Sequence, residues 1–148
     1  MSGAERGAKI SVVVAENHPS IRENLRYVLN AERDIACVGV AKTGREAVTV
    51  TVQKLPEVLI LDADLRDLDG LDIAIRMRRL APAVRTILYS AEPTIPELAS
   101  RAQLAGFVVK GAPLEELLAA VRRAAFAART QPNPSDTHPK PRPTRAGH

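Results

Sequence analysis

The pair Glu16–Asn17, then Asp62, Ser90 and Lys110, each stand directly after a short run of branched apolar residues, and Asp64 lies two residues beyond Asp62. These residue types complement one another. Magnesium takes octahedral oxygen ligands, commonly one or two carboxylates plus waters. Glu16, Asn17 and Asp62 offer side-chain oxygens, and the backbone carbonyl near Asp64 offers another. A carboxylate such as that of Asp62 can itself attack phosphorus and carry a phosphoryl group. Ser90 then presents a hydroxyl, and Lys110 an ammonium, to phosphoryl oxygens. A cation and Lys110 together spread the negative charge of the transferring group. One polar residue after a strand is ordinary wet-loop chemistry. Four positions of matched chemistry read as a site.

That reading needs the four positions on one edge of a sheet, and the pattern of the chain supplies it. Apolar runs at Ile10–Ala15, Ile35–Ala41, Val58–Leu61, Val84–Ser90 and Phe107–Val109 read as strands. Between and after them, helical spacing predicts helices over Ser20–Ala31, Gly44–Lys54, Leu71–Leu80, Ile95–Leu104 and Pro113–Ala128. Pro19 and Pro96 suit first helical turns. Thr43 with Glu46 reads as a capping box. Pro56 and Pro82 end two of the helices. Strands alternating with helices imply an α/β fold, a doubly wound parallel sheet with helices on both faces. Ligands of such sheets bind beyond the carboxyl ends of the strands.

Composition narrows the function classes. The chain has 148 residues, enough for one ordinary domain of about residues 9–129. Cys37 is the only cysteine, so no intrachain disulfide and no all-cysteine metal site can form. No apolar run approaches the roughly 20 residues of a membrane helix, and a cytoplasmic protein without a membrane partner is expected. Residues 130–148 hold five of the eleven prolines and no Leu, Ile, Val, Phe or Met. They read as a disordered, Pro-rich basic tail, and residues 1–8 as a flexible N-terminus. Net charge is +4, but the tail carries +2 of it, leaving 18 basic against 16 acidic side chains elsewhere. That balance, with only four aromatic residues, argues against direct DNA binding and against a single-strand stacking platform.

The segments Val12–Arg22, Leu59–Leu71, Leu88–Ala91 and Gly106–Gly111 resemble, in order and spacing, the receiver domain of two-component response regulators. The His-Pro pair and the Ala-Gly-Phe-Val-Val-Lys-Gly-Ala-Pro stretch look most like the subfamily that usually carries a C-terminal helix-turn-helix. The resemblance implies a flavodoxin-like strand order, 2-1-3-4-5. It implies that Asp62 accepts a phosphoryl group from a histidine kinase, with Mg²⁺ held by Glu16, Asn17, Asp62 and the Asp64 carbonyl. Ser90 and Lys110 would bind phosphate. Ser90 and Phe107 would form the conformational switch, with Ala91 leaving room for the phosphoryl group. Asp64 and Glu92 fall where the family tunes dephosphorylation. The output would be protein contact, including a homodimer through the helix after the fourth strand, the fifth strand and the final helix.

The acidic pair departs from the family. Two acids usually follow the first strand, whereas here Glu16 precedes Asn17. Asn17 keeps an oxygen and loses a charge, so weaker Mg²⁺ binding and slower phosphotransfer are expected. This feature favours an alternative, a pseudo-receiver that signals by binding alone. Asp62-Ala-Asp64 with Ser90 and Lys110 also resembles haloacid-dehalogenase-type phosphohydrolases, although their paired Asp follows the first strand. A DNA-binding regulator is not expected, since residues after 129 lack the periodicity of a helix-turn-helix. Beyond the site, the sequence reads His18 as a first-turn helix residue and not a ligand, and Cys37 as a small buried hydrophobe. Asp67 and Asp69 read as turn formers, and Arg76, Arg78 and Arg79 as a solvated helix face. Phe107 reads equally as ordinary core or as a switch.

Overall fold

A computed structural model describes residues 8–93 and 96–130. Residues 131–148 of the expected tail, residues 1–7 and the expected helix start at Ile95 lie outside the described residues, whereas Thr130 belongs to the last helix and not to the tail. The strands are β1 (Ile10–Ala15), β2 (Ile35–Ala41), β3 (Val58–Asp62), β4 (Arg85–Ser90) and β5 (Gly106–Val109). The helices are α1 (Pro19–Asn30), α2 (Gly44–Lys54), α3 (Gly70–Leu80), α4 (Pro96–Ala102) and α5 (Leu114–Thr130). All pairings between these strands are parallel, in the order β2-β1-β3-β4-β5. This is the expected doubly wound sheet. Half of the element ends coincide with the sequence reading and the others differ by one or two residues.

Alternation along the strands divides the core in two. Val12, Val14, Val58, Ile60 and Ile87 face Leu25 and Leu29 of α1 and Leu117, Val121 and Ala124 of α5. Val13, Ala15, Leu59 and Leu61 face Ala47 of α2, Ile73 and Met77 of α3, and Ala102 of α4. Two-sided burial explains why β1 and β3 read as unbroken Val/Ile/Leu runs. Edge strand β2 is only partly buried, and a bulge inserts Val38 between the partners of Val12 and Val13.

Local chemistry sets the helix ends. Thr43 Oγ1 accepts the Glu46 amide at 3.0 Å, as its spacing predicts. The Glu46 carboxylate accepts the Lys42 amide at 2.8 Å, one residue earlier than a standard capping box. Asp69 caps α3 by accepting the Leu71 amide at 2.8 Å. Asp67 departs from its expected local turn role. It accepts the amides of Gly44 at 2.6 Å and Arg45 at 3.1 Å, and so caps α2 from a distant loop. Leu55 ends α2 in the left-handed region, at φ 46°, before Pro56.

Candidate functional site

Strand register builds the site. Ala15 pairs with Leu61, so Glu16 and Asp62 leave the sheet side by side. Asp62 pairs with Tyr89, and Val109 with Ser90, which brings Lys110 to the same edge. Glu16 is fully buried and Asp62 is 1% exposed. Buried carboxylates need charge compensation. Lys110 provides it, with Nζ 3.1 Å from Asp62 Oδ1 and 3.1 Å from Glu16 Oε1. The Asp62 carboxylate also accepts the Asp64 amide at 2.9 Å and the Asn17 amide at 3.3 Å. Burial works against the Lys110 ammonium, but the hydrogen bonds it donates to Asp62 and Glu16 outweigh that and raise its pKa above the ordinary lysine value. The same ammonium lies 5.5 Å from the Tyr89 ring centroid. Burial, aided by the Glu16 charge, pushes the Tyr89 phenol up from its ordinary value.

Glu16 Oε1 is buried and lacks a hydrogen bond, although Lys110 Nζ stands at ion-pair distance. The ammonium is thus close but not aligned on that oxygen. Two buried carboxylates with one ammonium leave a negative surplus and an unsatisfied oxygen. That donor set fits a divalent cation. The cation would supply charge neutralisation and orientation of phosphoryl oxygens at Asp62.

The other predicted residues take distinct places. Ser90 is half-buried at the end of β4, and its hydroxyl oxygen accepts the Glu92 amide at 3.2 Å. Asp64 and Glu92 are exposed. A cavity of about 250 Å³ lies between Ala63, Leu88, Ser90 and Glu92, beside the strand ends. Phe107, paired with Leu88, is partly buried. Cys37 is likewise only half-buried, and burial raises its thiol pKa. Arg78 does more than face solvent, since Nη1 donates to the Arg101 carbonyl at 3.0 Å.

The sequence reading leaves out the contacts that two residues make at the site. His18 is the N-cap of α1, not a first-turn residue, and its Nδ1 lies 3.0 Å from Glu16 Oε2. Arg22 donates to the Glu16 carbonyl at 2.8 Å and so fixes the turn that carries Glu16 and Asn17. Its spacing, six residues after Glu16, is the only signal of that role, and it requires knowing where α1 begins.

The sequence matches the family model for the response regulator receiver domain over residues 12–122. The chain belongs to that family. The match spans every residue of the Glu16, Asp62, Ser90 and Lys110 constellation. This receiver is 33% identical over 115 residues to the "Probable transcriptional regulatory protein NarL" of Mycobacterium tuberculosis, covering 76% of this chain and 53% of that one. It is 29% identical over 119 residues to the uncharacterized transcriptional regulatory protein YxjL of Bacillus subtilis, covering 79% of this chain and 55% of that one. The receiver therefore spans about half the length of these curated relatives. Among solved structures it is similar to the signal receiver domain of the NarL response regulator of M. tuberculosis, with TM-score 0.73 and 30% identity, covering 80% of this chain and 97% of that one. Helices of the receiver are too short or too polar to cross a membrane among the described residues.

Proposed function

We propose that this receiver accepts a phosphoryl group on Asp62 from a histidine kinase and converts it into a change of protein-binding surface. The observation that carries this reading is the buried Asp62 carboxylate at the end of β3, held 3.1 Å from the Lys110 ammonium. An Asp62 oxygen attacks phosphorus as the phosphorus–nitrogen bond to the kinase histidine breaks, and the imidazole leaves. Lys110 exchanges part of its bond to the carboxylate for one to the phosphoryl oxygens, so positive charge stays with the transferring group. The Ser90 hydroxyl, now engaged with the Glu92 amide, turns to a phosphoryl oxygen, and the half-buried Phe107 ring follows into the space it leaves. Exposed Asp64 and Glu92 orient the water that later hydrolyses the acyl phosphate. The chain acts as a phosphoacceptor with at most self-catalysed transfer and hydrolysis, not as an enzyme with turnover on a separate substrate. A cytoplasmic location and a homodimer through α4, β5 and α5 complete the reading.

A second reading rests on Asn17. With one carboxylate fewer, Glu16, Asp62 and Lys110 form an ion network that needs no phosphate, as a binding module without phosphorylation would have.

Intact-mass spectrometry after incubation with acetyl phosphate and Mg²⁺ separates the two. The proposal expects one added phosphoryl group that is absent in Asp62→Ala and abolished by EDTA. No adduct at any Mg²⁺ concentration, with an adduct restored by Asn17→Asp, would establish the binding module.

A further inference from the structure

We infer that His18 is a metal ligand in this receiver and that the site selects a first-row transition dication over Mg²⁺. This rests on reading the Glu16–Asp62 edge as a divalent-cation site, as above. The imidazole nitrogen of His18 and one carboxylate oxygen each of Glu16 and Asp62 all lie within 4.8 Å of one another. One ion can span donors at that separation. The imidazole is not there by chance rotation alone. The His18 backbone amide donates to Glu16 Oε2 at 3.0 Å, and Pro19 follows at the first position of α1. Backbone and ring of His18 therefore converge on one carboxylate oxygen, while the other oxygen of Glu16 remains without a hydrogen bond.

The selectivity follows from which donors are present. Mg²⁺ is hard, binds oxygen, and dehydrates reluctantly, so its affinity follows the number of anionic oxygens. Asn17 holds that number to two carboxylates, and Lys110 offsets one of them. An imidazole nitrogen does little for Mg²⁺. It adds affinity for first-row transition dications such as Mn²⁺, Co²⁺ and Zn²⁺, with Mn²⁺ the weakest of the series. Replacing an acid by Asn17 while holding His18 against Glu16 thus weakens the hard ion and favours the borderline ones. A metal-bound imidazole donates the Nδ1 lone pair and keeps its N–H at Nε2. The His18 side chain is 61% exposed, so that N–H finds water.

The test uses the full chain with Mn²⁺ and Mg²⁺ as probes. Pulsed electron paramagnetic resonance of bound Mn²⁺ reads nitrogen coupling, and calorimetry reads both affinities. The expected result is a histidine-type ¹⁴N modulation that disappears in His18→Ala and in Asp62→Asn. In His18→Ala, Mn²⁺ should bind roughly tenfold or more weakly, while Mg²⁺ affinity barely moves. Mn²⁺ bound in an Asp62-dependent manner without nitrogen modulation overturns the inference and leaves the cation reading intact. Equal weakening of both ions in His18→Ala, or a nitrogen signal that survives that substitution, overturns it as well. No Asp62-dependent binding of either ion overturns this inference and the cation reading together.

Discussion

Lys110 Nζ lies 3.1 Å from Asp62 Oδ1, and among the described residues it is the one ammonium set between the two buried carboxylates of the site. Its removal leaves Glu16 and Asp62 buried beside each other without compensation. Lys110→Met is therefore expected to destabilise the fold by about 3 to 5 kcal/mol at neutral pH. Adding Asp62→Asn to that variant removes one of the two charges and should recover much of the loss. Urea unfolding of the wild type, both single variants and the double variant gives the coupling directly. Simple additivity would refute the compensating role.

The raised pKa of Lys110 also fixes the sign of an alkaline effect. The folded protein holds this proton more tightly than the unfolded chain, so the stability it contributes is complete below the ordinary lysine value of 10.5. That contribution is lost as pH rises through the higher folded value. Between Lys110→Met and the wild type, the difference in urea midpoint should shrink only on the alkaline side of that window.

Asn17→Asp brings a third carboxylate to the strand ends. Without a divalent ion, like charges beside Asp62 should lower the melting temperature. With saturating Mg²⁺ the order should reverse, since the ion gains a charged ligand. A tenfold gain in Mg²⁺ affinity corresponds to about 1.4 kcal/mol. Thermal melts across a Mg²⁺ titration check both halves, and parallel curves for the two proteins would show that position 17 does not face the ion.

Gly70 tests how closely the β3–α3 loop must approach Asp62. A Cβ there would stand 2.7 Å from Ala63 Cα and 2.8 Å from the Asp62 carbonyl oxygen, both backbone atoms that cannot swing aside. Gly70→Ala should lose about 1 to 3 kcal/mol and displace Asp62, which slower acetyl-phosphate labelling would report. Gly106→Ala is the control, because its nearest neighbour is the Ile87 side chain at 3.4 Å. That variant should fold and label nearly as the wild type does.

Asp67 gives the acid counterpart. Its carboxyl is held below the ordinary value, first by the Gly44 amide and further by the Arg45 amide. Such a group stabilises the fold fully above its unfolded pKa, near 3.8, and the effect fades as pH falls through the lower folded value. Asp67→Asn should lower the urea midpoint at pH 7 and converge on the wild type in strong acid. Amide exchange at Gly44 and Arg45 should accelerate in the same variant.

The sheet was readable because two-sided burial leaves a strong mark: Val12–Ala15 and Val58–Leu61 admit little but branched apolar residues. Asp62 and Lys110 were readable because each ends such a run, and parallel topology sends every strand end to one edge. His18, Arg22 and Asp67 were less legible for a shared physical reason. Each acts across a turn or between loops, and a lone histidine, a partly buried arginine or a loop aspartate has no periodicity to betray its partner. Phe107 was ambiguous for another reason. A β5 position reads as apolar whether its ring is sealed in the core or stands half outside it, as it does here.

The arginines of α5 set a mechanical constraint. Arg122 forks onto Asp34 with two contacts of 2.8 Å and reaches Glu32 at 2.8 Å, while Arg129 grips Glu57 at 2.6 and 2.7 Å. Asp34 and Glu57 immediately precede β2 and β3, at the edge of the sheet opposite Asp62. These partly exposed pairs contribute little to stability, but their two-pronged geometry gives them direction. Arg122 sits at the middle of α5 and Arg129 in its last turn, so both grips hold the C-terminal half of the helix. The other end of α5 starts at Leu114, just past the Lys110 loop, and carries no such grip among the described residues. A small displacement of that loop would thus be delivered as a swing of the helix about its C-terminal half, largest at Leu114 and smallest at Arg129.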